Sequence, residues 1–462
     1  MTRTLTVGAP TRVIVAFTLP LLIGNLFQQA YQFTDAAVVG RMVGVDALAA
    51  VGASGSLVFL LLGFTLGAAN GLAIPVARAF GSGDMPAMRR HVALGTLASA
   101  AISAVIVLIG LRYTRPMLAL MQTPDVLMED AAAFLMITFA AAPVTMAFNY
   151  LAAIIRALGD SRTPLIFLML ACFVNVGLVV LFIGSFGWGV GGAAWATAIS
   201  QLASVVACLW LIRVRMPQLW LWREDWLPKR GETGESVRPG LAMGFQMSVI
   251  AIGAVILQYA INGLGPDAVA AATAAVRVDQ VAVAPLASFG LALTTFVAQN
   301  RGAGHWRRIR VGVWEISLLT WLVSLLMGGL IYLFGTPVAQ VFVGAGNEAV
   351  VSLAHDYLVV QAALYPVLAS LFVLRNAVQG LGSNLMPTLA GFMELVFRAV
   401  AGLLLVGPLG FFGVAIAAPL AWIGAVTPVA IAWFVRRREL IRWEGPDVRT
   451  PSPGRVPVLA AT

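Results

Sequence analysis

Residues 44–83 read GVDALAAVGASGSLVFLLLGFTLGAANGLAIPVARAFGSG, and residues 265–304 read GPDAVAAATAAVRVDQVAVAPLASFGLALTTFVAQNRGAG. Between them Gly44, Asp46, Ala49, Ala50, Gly81 and Gly83 recur as Gly265, Asp267, Ala270, Ala271, Gly302 and Gly304, each 221 residues later. Leu158-Gly159 and Pro164 return as Leu381-Gly382 and Pro387, and Gly189-Val190 and Ala193-Ala194 return as Gly413-Val414 and Ala417-Ala418. Single matches between Ala- and Gly-rich stretches mean little. A register that drifts by so few residues across a whole half means a duplicated unit.

The first copy carries no charge from Ala47 to Ala77, between Asp46 and Arg78. That is longer than the roughly 20 apolar residues a helix needs to cross hydrocarbon. The whole chain shares this character: 60% of its 462 residues are apolar, 11% are charged, and mean hydropathy is +0.91. A soluble globule carries about 25% charged residues. Large soluble enzymes, disordered chains and disulfide scaffolds are therefore excluded. Cys172 and Cys208 sit inside apolar runs and His91, His305 and His355 are scattered, so neither a disulfide framework nor a metal site is expected.

Twelve spans are predicted, at 13–38, 48–77, 91–111, 131–155, 164–184, 190–212, 240–263, 268–298, 311–334, 350–375, 386–406 and 411–435. With the amino terminus inside, 29 Lys and Arg distribute sharply. Arg41, Arg112 and Arg115 fall outside, Arg277 and Arg398 lie within spans, and all the others, Arg375 among them, are assigned to the cytoplasmic face. The positive-inside rule then places both termini in the cytoplasm. The net charge of +9 is topogenic and gives no support to a nucleic-acid partner. The long first run lacks a cleavage site and stays as a span.

Six spans per half make the repeat parallel, with a pseudo-two-fold axis along the membrane normal. The expected fold is an all-α integral membrane protein of two six-helix lobes. Its parts are a cytoplasmic amino terminus (1–12), a first lobe (13–215), a cytoplasmic linker (216–237), a second lobe (238–438) and a cytoplasmic tail (439–462). Two lobes facing one another across a cavity suit an alternating-access carrier better than a pore.

Polar side chains inside spans are functional candidates by default. Asn25, Gln28, Gln29, Gln32 and Asp35 fall within about 120° of arc on span 1, downstream of a helix hinge expected at Pro20. They form either a hydrated wall ending at a carboxylate or a polar seam between helices. Gln258 and Asn262 on span 7 and Asp279 on span 8 are further cavity or substrate candidates. Glu394 and Arg398, one turn apart on span 11, can neutralise each other, which leaves Glu394 as a cavity group or half of a structural pair. The Gly81-Ser82-Gly83 and Gly302-Ala303-Gly304 turns read as helix caps.

With these residues in view, the chain resembles the multidrug and toxic compound extrusion family, close to its DNA-damage-inducible-F-like branch. The resemblance rests on Leu19-Pro20-Leu21-Leu22-Ile23-Gly24-Asn25-Leu26 with Thr34-Asp35 and Gly40-Arg41, and on Arg156-Ala157-Leu158-Gly159-Asp160 with Pro164. It rests further on Phe296-Val297-Ala298-Gln299-Asn300 with Gly302-Ala303-Gly304 and Arg308, and on Glu394 with Arg398. It covers residues 11 to 438. It implies antiport, with amphipathic, often cationic organic solutes exported against inward protons or sodium, and no other cofactor. It also implies a polar coupling network in the first lobe, which carries over to Asp35, Asn175 and Thr197. The family's second helix-5 acid does not carry over, because Val179 stands there. The protein is expected in a bacterial inner membrane, as a monomer, with small organic solutes and the lipid bilayer as partners. A flippase of lipid-linked precursors is the runner-up. An intramembrane enzyme lacks a nucleophile–base set, and no phosphate-binding loop suggests direct ATP drive.

Overall fold

The computed structural model describes residues 4–121, 123–343 and 347–444, apart from the side chains of 31–37, 45, 46, 48 and 53. Among these residues all regular structure is helical. The first half holds α1 (Pro10–Met42), α2 (Val45–Ser82), α3 (Met85–Leu120), α4 (Asp125–Ala140), α5 (Ala142–Ala157), α6 (Arg162–Val179) and α7 (Gly189–Arg215). The second holds α8 (Glu232–Asn262), α9 (Pro266–Gly302), α10 (Trp306–Val343), α11 (Glu348–Ala363), α12 (Tyr365–Gly380), α13 (Leu385–Leu404), the single turn α14 (Val406–Leu409) and α15 (Phe411–Trp443). Hydrocarbon offers no partner for a free amide, so spanning backbone must close its own hydrogen bonds, as helices do.

Among the described residues ten helices are long and apolar enough to span alone, and two pairs pass the same test as bent units: α4 with α5 at 46° and α11 with α12 at 51°. This makes twelve transmembrane segments in two six-helix lobes. The bends share a cause. Pro143 and Pro366 stand at the second position of α5 and α12, where each lacks an N–H and its ring clashes with the carbonyl four residues back. They are 223 residues apart, the same offset that relates Leu158-Gly159 to Leu381-Gly382. The duplication therefore extends to the breaks. The caps repeat too, with Gly83 at φ 76° and Gly304 at φ 71°, a left-handed geometry that side chains disfavour.

The lobes meet along α2, which lies against α8 and α9, while α1 lies against α9 and α10. Small residues allow backbone to touch backbone. A Cβ on Gly67 would stand 2.5 Å from the Met243 carbonyl oxygen, and one on Gly71 would collide with that of Pro239. At the ends of α2 and α9 the arrangement is reciprocal: Gly81 lies against the Gln299 carbonyl and Gly302 against that of Arg78. The glycine turns thus do two things, with Gly83 and Gly304 capping and Gly81 and Gly302 permitting the crossing.

The amino-terminal segment closes the same end. Leu5 N–H donates to Gln299 Oε1 at 2.8 Å, Asn300 Nδ2 donates to the Leu5 carbonyl at 3.2 Å, and Thr11 Oγ1 donates to Glu315 at 2.5 Å. Leu5, Ile14 and Phe17 are buried with Phe296, Ile309 and Trp433 of the second lobe. Arg78 pairs with Glu235 across the junction at 2.5 Å. Further along, a Cβ on Gly52 or Gly55 of α2 would meet nothing within 4 Å, and Tyr259, Gln258 and Asn262 near the end of α8 are exposed. The lobes are closed at the end bearing Gly81 and Gly302, and their contacts thin toward the other.

One charge assignment changes. Arg375, predicted at the cytoplasmic face, lies within α12 and is 5% exposed; α12 continues to Gly380, beyond the predicted end of that span.

Gly71→Ala is expected to cost about 1–3 kcal/mol through overpacking at the α2–α8 crossing. Gly55→Ala, facing open space, should be neutral or slightly stabilising. Thermal unfolding of the two variants in detergent checks this; equal melting temperatures would remove the crossing from the account of stability.

Candidate functional site

Among the described residues, the sequence candidates that pair with other side chains include one polar cluster in each lobe. In the first, Asn175 on α6 is buried and its Nδ2 donates to Thr197 Oγ1 on α7 at 3.1 Å. Thr197 Oγ1 in turn donates to the Ala193 carbonyl at 3.1 Å. Asn175 Oδ1 is buried and accepts nothing among the described residues. An amide oxygen left bare in low dielectric costs free energy unless a proton donor or cation reaches it. The helix that carries Asp35, α1, packs on α6 and touches α7. The side chains of Gln32 and Asp35 lie outside the described residues. Val179, one turn beyond Asn175, is buried with Val39, Phe182 and Ile183. The missing second acid is therefore replaced by apolar packing.

Asn25 sits elsewhere than in this cluster. Its Nδ2 donates to Ser288 Oγ on α9 at 2.9 Å, a hydrogen bond between lobes. Gln28 is exposed and Gln29 partly buried. Pro20 lies inside α1, which runs unbroken as a helix from Pro10 to Met42. Gln258 Nε2 donates to Asn262 Oδ1 at 2.9 Å, so this exposed pair on α8 satisfies itself in part.

The second cluster is more elaborate. Asp279 on α9 accepts from the Tyr365 hydroxyl at 2.7 Å. Tyr365 is the first residue of α12 and fully buried, so the break between α11 and α12 is what delivers its hydroxyl to α9. Glu394 on α13 is buried between two arginines, with Arg375 Nη2 2.9 Å from one carboxylate oxygen and Arg398 Nη2 3.1 Å from the other. The side-chain amides of Gln246 on α8 and Gln379 on α12 meet at 2.8 Å and are also buried. A buried carboxylate with two guanidinium partners is satisfied in hydrogen bonding, and breaking it would strand charge in low dielectric. Glu394 thus holds α12 to α13.

Sequence reasoning had no sign of Tyr365, Arg375, Gln246 or Ser288. Only Tyr365 left a readable trace: Tyr365-Pro366 aligns with Ala142-Pro143 in the repeat, and a polar ring beside a proline repeated inside a span is a candidate for an inward-facing group. Arg375 has no such trace, since Ala152 stands at the matching place in the first half.

Near the closed end, Arg156 Nη2 donates to Asn70 Oδ1 at 3.1 Å. Together with Thr294 and Thr295 of the second lobe they line a remnant of about 20 Å³, room for about one water. The floor of the interlobe space is shut there.

Comparison with known proteins follows this geometry. The MatE family model matches residues 20–181 and 242–404, one stretch in each lobe. The Probable multidrug resistance protein YpnP of Bacillus subtilis is 27% identical over 381 residues, covering 82% of this chain and 84% of that protein. The DNA damage-inducible protein F of Escherichia coli is 28% identical over 198 residues, 42% of each chain. Among solved structures, the outward-facing conformation of a multidrug resistance MATE family transporter of the MOP superfamily superposes with a TM-score of 0.85. It is 20% identical, over 95% of this chain and 97% of that one, and shows the shared fold. The duplicated six-helix lobes, their glycine crossing and the family match across both halves lead to one statement: this multi-pass membrane protein belongs to the MatE family, whose members are transporters and not enzymes.

Proposed function

We propose that the protein is a multidrug efflux antiporter. It exports amphipathic, often cationic organic solutes in exchange for protons or sodium, and moves between states by rocking its lobes about the α2–α8–α9 crossing. The observation that carries this reading is the Asn175–Thr197 pair with its bare Oδ1, on the two helices that flank the helix bearing Asp35. In this reading Asp35 supplies the charge, and Asn175 and Thr197 supply neutral oxygens and an amide. Proton uptake would need only the carboxylate, whereas sodium would need several oxygens gathered around it. The names of relatives such as YpnP support drug export. A flippase gains little from the second-lobe arginines, since Arg375 and Arg398 are both engaged by Glu394.

In this reading the Arg-rich, closed end faces the cytoplasm of a bacterial cell and the cavity opens outward. Substrate would be released from the described state, and protonation or sodium binding at Asp35 would then favour the return.

Asp35→Asn keeps shape but removes the titratable charge. It is expected to insert and to bind substrate while losing gradient-driven export of a fluorescent cation in proteoliposomes, under imposed proton or sodium gradients. Export at the wild-type rate would move coupling to the second lobe, with Asp279 next.

Glu394→Gln should instead cost about 3–5 kcal/mol of stability by leaving two arginines without a counter-charge. Replacing Glu394, Arg375 and Arg398 together by apolar residues of similar size should recover much of it. Thermal melts separate this structural loss from a coupling defect, which would leave the melt unchanged.

For orientation, a cysteine at Lys229 should react with impermeant maleimide only in inverted vesicles, and one at Gly263 only in intact cells. The opposite pattern would reverse the topology.

A further inference from the structure

We propose that the groove between the end of α7 and the segment following it is a binding site for one anionic glycerophospholipid. The phosphate would lie on Arg213 and an acyl chain along Val206, Leu209 and Trp210. This inference does not depend on the antiport reading.

The groove encloses about 820 Å³ and is lined on one side by Val206, Leu209, Trp210 and Arg213 and on the other by Trp220 and Trp222. Its walls differ along their length. Val206, Leu209 and Trp210 are exposed on α7, the whole of which is a candidate span, and they precede Arg213 by three to seven residues. Val206 is nine residues before the helix end at Arg215, so the apolar wall extends about 13 Å along α7 from that end at 1.5 Å per residue. Arg213, Trp220 and Trp222 stand at the rim, where aromatic rings favour the headgroup level. A phosphate at the rim with a chain descending from it matches this division.

The cationic rim is built rather than incidental. The Arg213 guanidinium stacks over the Trp220 ring at 4.1 Å, which occupies its face and leaves the N–H edge for an oxyanion. No carboxylate lies within ion-pair distance of it among the described residues. Of the two acids in the adjoining segment, Asp225 is taken: its Oδ2 accepts from Arg89 Nε at 3.0 Å and from the Trp222 N–H at 2.8 Å. The second bond also holds the Trp222 backbone in place at the second wall. Glu224 is exposed, against Arg215, Arg223, Lys229 and Arg230 in the same stretch. A zwitterionic headgroup would bring its own cation into this field, while phosphatidylglycerol brings a net negative charge and balances it.

Native mass spectrometry of the purified full chain in detergent, with equal phosphatidylglycerol and phosphatidylcholine, tests the site. The wild type should retain phosphatidylglycerol about fivefold over phosphatidylcholine, the ratio one arginine near a surface supplies. Arg213→Ala and Trp220→Leu should each lose that preference with an unchanged thermal melt, whereas Arg112→Ala at the opposite end should keep it. Equal retention of the two lipids by the wild type, or an unchanged preference in Arg213→Ala, would overturn the proposal. So would displacement of the bound lipid by inorganic phosphate, which would mark a plain anion site.

Discussion

Backbone contact at the α2–α8–α9 crossing is the constraint on which the rest of the architecture depends. In a bilayer, lipid tails are as apolar as any side chain, so helices gain nothing by merely hiding apolar surface from them. What holds two lobes together is close approach, and Gly67, Gly71, Gly81 and Gly302 provide it by having no Cβ to obstruct a facing carbonyl. Once α2 is seated this way, α1 can lay its early turns into the second lobe, where Ile14 and Phe17 pack beside Phe296. The amino-terminal segment then has Gln299 and Asn300 to bond with.

Charge inside the spans is handled differently in the two lobes. The second lobe gathers its charge into a closed arrangement of Glu394 with Arg375 and Arg398, near the hydrogen-bonded Asp279–Tyr365 pair. Such a set is costly to assemble and costly to break, which suits a rigid body. Among the described residues, the first lobe's cluster leaves one buried acceptor, Asn175 Oδ1, without a partner.

The span pattern, the duplicated lobes and the glycine turns were all legible in the chain, because each depends on local composition or on a repeated spacing. Even the paired breaks were written in Pro143 and Pro366, although composition alone does not say that a proline bends a span and leaves it continuous across the membrane. Asn175 and Thr197 were found through family resemblance, and the structure places them within hydrogen-bond distance. Arg375 went the other way: an arginine near a predicted span end reads as topogenic, and only the extension of α12 to Gly380 makes it an interior group.

The sequence by itself determined that this is a helical membrane protein of two parallel six-span halves, since hydropathy, charge asymmetry and repeat are properties of the chain read along its length. Partners across space were the work of tertiary structure: Glu394 with Arg375 as well as Arg398, Asp279 with Tyr365, Asn25 with Ser288. The physical reason is that a helix states which face a residue occupies but not which helix stands opposite. That choice is made where backbones can approach most closely, and it decided which of the polar side chains became a brace within a lobe and which a seam between lobes.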